Sequence, residues 1–261
     1  MIAFIGGGNM AEALIRGIVK KGAADIIVSE PREDRRAHLE KAYGVKTTAS
    51  NAEAVKAADI AILAVKPQMM DVVLAEIAGS INDSKTIVSI AAGIRISYLK
   101  DRLGTEKLVR VMPNTPALAG EGMSVISMCE CLHCPEMGRI RDIFMSVGKV
   151  MTLPEKYMDA VTALSGSGPA FISLFLEAMM EAAVKAGLSE DDAKVLAVQA
   201  AAGTARLLEE GLSTSKLREM VTSPGGTTEA GLRVFAEKRL GEAVHAAMDA
   251  TINRARELGR S

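Results

Sequence analysis

The stretch VTSPGGTTEAG, Val221 to Gly231, puts two adjacent glycines behind a proline and follows them with two threonine hydroxyls. It interrupts a long Ala-rich tract with helical patterning. Pro224 and the glycine pair stop one helix, and TTEAGLRVF reads as the start of another. A helix start leaves backbone N–H groups unpaired at the positive end of the helix dipole, and glycines let an anion approach them closely. The turn around Gly225 and Gly226 is therefore a candidate anion-binding site. The competing reading is a plain helix–helix corner that needs Pro-Gly-Gly for its geometry.

A second constellation lies at the opposite end of the sequence. IAFIGGGNMAEALIRG carries G-x-G-x-x-A on Gly6, Gly8 and Ala11, directly after a strand-like run and at the opening of a helix. Gly6 suits a tight turn, Gly8 lets backbone approach a pyrophosphate, and Ala11 permits close helix–strand packing. That placement points to a dinucleotide rather than to a structural glycine turn. Glu30 closes the next strand, where an acid can accept hydrogen bonds from an adenosine ribose and so favour NAD. Arg32, Arg35 and Arg36 follow at once, and arginines there can clamp the 2′-phosphate of NADP. Read alternatively, these arginines form a solvated helix face, and the sequence leaves NADPH and NADH both open.

Shorter motifs fall where strands should end. AVKP, Ala64 to Pro67, offers Lys66 to a phosphate, ribose or substrate anion, or else as a strand-edge cap. SIAAG, Ser89 to Gly93, is small enough to admit a nicotinamide ring, though tight packing needs the same residues. RVMPNTP, Arg110 to Pro116, predicts a rigid loop at the crevice mouth. In LSGSGPAF, Ser165 and Ser167 either cap a helix or let its start approach a ligand or partner subunit. Cys129, Cys131 and Cys134, with His133 among them, could suggest zinc, but C-x-C-x-x-C matches no usual ligand framework. Incidental thiols are the expectation, and no metal site. His38, His133 and His245 read as surface or packing residues.

These residues need a scaffold. Apolar strand candidates at 2–6, 26–30, 60–65, 86–92, 108–113, 123–128 and 149–153 are separated by amphipathic segments that end near glycines. Ser50 and Glu53 read as a capping box. Strands without polar alternation, separated by helices, predict a parallel sheet covered on both faces. The fold class is α/β: a Rossmann-like doubly wound domain over 1–154, then an all-α dimerisation and substrate-binding domain over 155–261. The segment from Phe171 to Ala186 is apolar on nearly every side, so about 100 helical residues can hardly cover it alone; a homodimer with interleaved helical domains is expected, the competing reading being a helix buried within one bundle. With 31 basic and 32 acidic residues, nothing pulls the chain toward nucleic acid or an acidic membrane. No apolar run approaches a membrane span and no signal peptide opens the sequence, so a cytoplasmic protein is expected.

FIGGGNMAEAL, AVKPQ, SIAAG, VMPNTPA, LSGSGPAF and SPGGTT, in this order and over the whole length, closely resemble the pyrroline-5-carboxylate reductases. The resemblance implies reduction of 1-pyrroline-5-carboxylate to L-proline by hydride from NAD(P)H, the last step of proline biosynthesis. It implies a homodimer and, in many members, a decamer of five dimers. It places the pyrophosphate on Ile5, Gly6, Gly7, Gly8, Asn9, Met10 and Ala11, and the adenosine end near Glu30, Arg32 and Asn51. Ala64, Val65, Lys66 and Pro67 would line the ribose and nicotinamide side, with Ile90, Ala91 and Ala92 beside the ring. The substrate would fall on Ser223, Gly225, Gly226, Thr227 and Thr228, with Glu155, Thr162, Ser165 and Ser167 nearby. Its carboxylate would meet the N–H groups around Gly225 and Gly226, and the Thr228 hydroxyl its ring nitrogen. Members specialised for NADPH usually carry a small polar residue where this chain has Glu30. Two rivals remain: a related reductase, such as a β-hydroxyacid dehydrogenase or another imine reductase, and a dinucleotide-binding sensor without turnover. The first normally has a lysine early on the long helix, whereas Lys185 lies near its far end; a sensor has no need of the SPGGTT turn.

Overall fold

The computed structural model describes residues 1–22, 25–128 and 136–259, so the cysteine run and His133 lie outside the described residues. The chain divides into two compact units, Met1–Pro169 with Thr251–Ser261, and Ala170–Ala250.

The first unit alternates β1 (Ile2–Ile5), α1 (Asn9–Lys20), β2 (Ile26–Ser29), α2 (Glu33–Tyr43), β3 (Lys46–Thr48), α3 (Asn51–Ala57), β4 (Ile60–Leu63), α4 (Met70–Ile77), β5 (Thr86–Ser89), α5 (Ile96–Leu103) and β6 (Leu108–Met112). It continues through β7 (Gly122–Met128), α6 (Met137–Met145), β8 (Gly148–Thr152) and α7 (Met158–Val161). Among the described residues the strands form one sheet in the order β3-β2-β1-β4-β5-β6-β7-β8. β1, β2, β4 and β5 are buried at every position, as strands covered on both faces must be. Phe4 points into a core with Leu14, Ile15 and Phe144, while its neighbour Ile5 points to the other face with Leu63, Leu74 and Leu99.

Two sequence expectations need correction. β3 was not foreseen, because three half-exposed residues at a sheet edge carry no apolar run. The sheet is also not wholly parallel: β7 runs antiparallel to β6, and β8 parallel to β7. The connection from Pro113 to Glu121 is too short for the crossover of a dozen or more residues that a parallel neighbour requires. The α/β class itself holds.

Helix ends follow local chemistry. α2 stops at Gly44, which is left-handed with φ 67°. Ser50 Oγ accepts from Glu53 N at 3.2 Å and caps α3, but the Glu53 carboxylate takes the Thr48 hydroxyl, so only half the capping box forms. Lys85 is buried and donates to Lys56 O and Ala58 O at 3.0 and 2.8 Å, satisfying carbonyls at the end of α3.

The helical part comprises α8 (Gly168–Lys185), α9 (Glu190–Glu209), α10 (Thr214–Val221), α11 (Thr227–Glu237) and α12 (Leu240–Leu258). Ser189 and Ser213 cap α9 and α10. No residue of α8 is buried, and Phe171, Ile172, Leu174, Phe175 and Met179 are all exposed. The continuous helical run Glu155–Lys185 is long and apolar enough, by length and composition alone, to cross a membrane. The sequence reading had seen no such run, because glycines and serines interrupt its apolar residues.

Candidate active site

The glycine-rich turn joins β1 to α1. Gly6 has φ 97°, and a Cβ there would lie 2.8 Å from Ala64 O. Ala64 N in turn donates to Ile5 O at 2.8 Å, which pins the AVKP segment against the turn. Gly8, by contrast, faces open space: a Cβ there would meet nothing within 4 Å. Gly8 is also the N-cap of α1, and no side chain caps that helix. The N–H groups of its first turn, on Asn9, Met10 and Ala11, therefore remain for a ligand. This fits a pyrophosphate: backbone donors, a helix dipole and no side chain in the way.

Gly7 has a role the sequence did not announce. Its N–H donates to Glu30 Oε2 at 3.0 Å, while Glu30 Oε1 takes Arg32 N at 3.2 Å and Arg32 Nε at 3.0 Å. Burial pushes the Glu30 carboxyl up, but the bonds from Arg32 and Gly7 and the Arg32 charge outweigh it, so its pKa lies below the ordinary 4.5. Glu30 is thus an internal brace of the turn. A carboxylate has about four lone-pair positions, so some acceptor capacity remains for a ribose. Arg32 leaves most of its guanidinium in solvent, at 62% side-chain exposure.

The other two arginines are committed elsewhere. Arg36 donates to Glu30 O and Pro31 O, both at 2.8 Å. Arg35 Nε donates to Gly7 O at 2.6 Å, and its far end pairs with Glu12. Glu12 also holds His38 Nε2 and the Tyr43 hydroxyl, each at 2.8 Å. Burial opposes its charge, yet the bonds from His38, Arg35 and Tyr43 prevail and lower its pKa to about 2. No local pattern announces this hub, whose members come from two helices that only the fold brings together. Asn51 is likewise engaged: Oδ1 accepts from Ser29 Oγ at 2.7 Å and Nδ2 donates to Glu76 at 2.6 Å.

Ala64 and Val65 are half-buried and Lys66 is exposed ahead of the 3₁₀ turn Pro67–Met69. The strand expected over 86–92 ends at Ser89, so Ile90, Ala91 and Ala92 form the loop at its C-terminal end. Ile90 N donates to Leu63 O at 3.2 Å, which sets this loop beside the end of β4. Carboxyl ends of parallel strands are where ligands of such sheets lie.

Of the four remaining residues of the first unit, Thr162 is buried and the other three are half-buried. Glu155 Oε1 accepts from Arg110 Nη1 at 3.1 Å and from Ile96 N at 2.9 Å. Arg110 is only 3% exposed while the Glu155 side chain keeps 31% of its surface, so this pair is a half-buried strut between β6, the start of α5 and the segment before α7. Thr162 is buried and donates its hydroxyl to Met158 O at 2.7 Å. Ser165 and Ser167 stay half-buried in and after a π-helical turn, Thr162–Gly166.

The SPGGTT segment belongs to the second unit. α10 ends at Val221, Gly225 is left-handed with φ 70°, and Gly226 is the N-cap of α11. Of the N–H groups around Gly225 and Gly226, those of the two glycines are engaged within the turn. Gly225 N donates to Glu229 Oε2 at 2.7 Å and Gly226 N to Ser223 O at 2.9 Å. Glu229 sits at the third helical position, from which an acid reaches back to close a helix start. No side chain caps α11, so the donors left are those of its first turn, on Thr227 and Thr228. Thr228 is half-buried, and Ser223 and Thr227 are exposed.

Comparison with known proteins finds family models that match both the N-terminal and the C-terminal part of the chain. Residues 155–258 match the family model for pyrroline-5-carboxylate reductase dimerisation, and residues 1–93 match one for NADP oxidoreductases, coenzyme F420-dependent. A pyrroline-5-carboxylate reductase of Synechocystis is 40% identical, with 99% of this chain and 98% of that protein covered. A solved pyrroline-5-carboxylate reductase from Coxiella burnetii superposes with a TM-score of 0.90 at 35% identity, covering 100% of this chain and 98% of that one. The Plasmodium falciparum pyrroline carboxylate reductase, solved with NADP bound, gives 0.90 at 32% identity, covering 99% and 97%. Prephenate dehydrogenase from A. aeolicus, at 11% identity and a TM-score of 0.56, shares the fold alone. At these identities over nearly the full length, the chain belongs to the pyrroline-5-carboxylate reductase family.

Proposed function

We propose that the protein reduces 1-pyrroline-5-carboxylate to L-proline with NADPH, the last step of proline biosynthesis. The observation that carries this reading is the start of α11, which no side chain caps, in a chain whose named relatives match it over nearly all its length.

The cofactor, when bound, supplies a hydride. Ile5 to Ala11 hold its pyrophosphate, with Ala64 to Pro67 and Ile90 to Ala92 along the nicotinamide side. Arg32, braced by Glu30, meets the 2′-phosphate, which is why NADPH is favoured over NADH; Asn51 flanks the adenosine end. The substrate is a cyclic imine with a carboxylate. The N–H groups of Thr227 and Thr228 take the carboxylate, and Gly225 and Gly226 shape the turn that exposes them. The imine carbon is electrophilic when its nitrogen is protonated or strongly hydrogen-bonded. The Thr228 hydroxyl donates to that nitrogen and so positions the ring. Ser223 belongs to that same turn of the second unit; in the first unit Ser165 and Ser167 are further candidate contacts, beside Glu155 and Thr162.

The working unit is a homodimer of the 155–261 domain: the exposed apolar face of α8 calls for a second copy, and the matched dimerisation model supports one. Gathering of five dimers into a decamer is the further assembly, and the cytoplasm the compartment. Steady-state oxidation of NADPH and NADH with 1-pyrroline-5-carboxylate, set against a β-hydroxyacid, tests the reading. Turnover with the hydroxyacid and none with the imine would overturn it.

A further inference from the structure

Asn114, in the loop after β6, and Ser165, in the π turn, lie 51 residues apart in sequence and meet in the first unit. Asn114 Oδ1 accepts from Met123 N at 2.8 Å, and Asn114 Nδ2 lies 3.3 Å from Ser165 Oγ. A backbone N–H can only donate, so the amide has one orientation: oxygen toward Met123, nitrogen toward Ser165. The amide nitrogen in turn can only donate. Ser165 Oγ is therefore the acceptor, and its own hydrogen is left over.

A helical serine or threonine usually spends that hydrogen on the carbonyl one turn back. Thr162 does so, donating to Met158 O at 2.7 Å. Among the described residues, the hydrogen bond of Ser165 Oγ is the one from Asn114. The backbone at Ser165 is unusual as well. Ser167 N bonds to Thr162 O at 2.9 Å, five residues back, and this wide turn rests on the end of β6: a Cβ on Gly166 would come within 2.5 Å of Met112 Cε. Such π turns recur at functional sites, where an extra residue aims a side chain that a regular helix would turn elsewhere. Ser165 is half-buried, so it is neither sealed in the core nor free in solvent.

We infer that Asn114 is a positioning residue for the reductase site: by donating to Ser165 Oγ it turns the serine hydrogen outward, toward an acceptor oxygen of a bound ligand. That oxygen is the carboxamide oxygen of the dinucleotide, which the same unit holds. The inference rests on the reductase reading above.

The test uses the full-length protein and the variants Asn114→Asp, Ser165→Ala and the double variant. Asn114→Asp keeps the acceptor for Met123 N but replaces the donor with a second acceptor, which draws the serine hydrogen away from the ligand. Each single variant should lose about tenfold in kcat/KM, the worth of one hydrogen bond. The double variant should fall no further, because both changes remove the same bond. The loss appears in NADPH affinity, and a loss confined to KM for 1-pyrroline-5-carboxylate would overturn the inference. Asn114→Ala, which removes the donor without adding charge, should lose less than Asn114→Asp. Thermal melting shows that each variant folds, and a variant that does not fold leaves the comparison to Ser165→Ala and Asn114→Ala. Losses that multiply to about 100-fold in the double variant, or an Asn114→Asp protein as active as the unsubstituted one, would overturn the inference. An unsubstituted protein that does not reduce the imine would sink the reductase reading instead.

Discussion

Gly6 and Gly8 stand two residues apart in one motif, yet the structure assigns them opposite vulnerabilities. Gly6→Ala puts a side chain at φ 97° with its Cβ 2.8 Å from Ala64 O, a carbonyl in the segment hydrogen-bonded to Ile5. Left-handed strain costs roughly 1–3 kcal/mol and crowding against backbone roughly 1–3 kcal/mol more. At roughly 2–4 °C per kcal/mol, the Tm of the ligand-free protein should fall on the order of 10 °C. Gly8→Ala meets nothing within 4 Å and has an ordinary φ of −69°. Its Tm should stay within about 2 °C, as for a surface change of about 0.5 kcal/mol or less. Its methyl group, however, stands where a pyrophosphate must approach. Losing one charge-assisted hydrogen bond at about 1.5–3 kcal/mol weakens NADPH binding by about 10- to 100-fold. Thermal melting without ligand and fluorescence titration with NADPH read the two quantities separately. A Gly8→Ala protein that binds NADPH within twofold of the unsubstituted one would refute the placement of the pyrophosphate. An unshifted melt for Gly6→Ala would show that the turn relaxes cheaply.

Thr228→Ala should lower kcat about 100-fold, the scale of one donor at a developing charge, while NADPH affinity stays within about twofold; equal loss of both would make the residue structural. Arg32→Ala should cut kcat/KM about tenfold with NADPH and leave NADH nearly unchanged, and Glu30→Ser, which releases the brace from Gly7 N, should also lower Tm; a cofactor ratio unmoved by Arg32→Ala would remove it from the 2′-phosphate. The Glu12 carboxyl is lowered from 4.5 to about 2 when folded, so its contribution to stability is full above about pH 4.5 and is lost as pH falls toward 2. At about 1.4 kcal/mol per pK unit the effect is at most about 3.5 kcal/mol; Glu12→Gln should reduce stability at neutral pH and flatten its fall between those limits, and an unchanged acid-unfolding curve would contradict the hub.

What could be read from sequence was what short segments decide by themselves. Gly6, Gly8 and Ala11 have their geometry set by the β1–α1 turn, and Gly44 and Ser50 end and begin helices through bonds within a few residues. The apolar character of α8 was legible too, because a helical segment apolar on nearly every side implies a cover. The direction of a side chain was not. Glu30 was expected to face a ribose, but whether it reaches Gly7 depends on how β2 lies beside β1. Arg110 with Glu155 and Asn114 with Ser165 join segments 45 and 51 residues apart, and no local pattern announces either pair. Two signals were present and passed over. The short connection before β7 excluded a parallel neighbour, and Glu229 stood at the position from which an acid closes a helix start, so that it takes the Gly225 N–H.

The most direct measurement follows an isotope. NADPH deuterated on the transferred position at C4 is incubated with the protein and 1-pyrroline-5-carboxylate, and the product is examined by mass and NMR. The account predicts L-proline carrying one deuterium at C5, in step with the NADPH consumed. NADPH oxidised without deuterium in proline, or no proline formed, would contradict it.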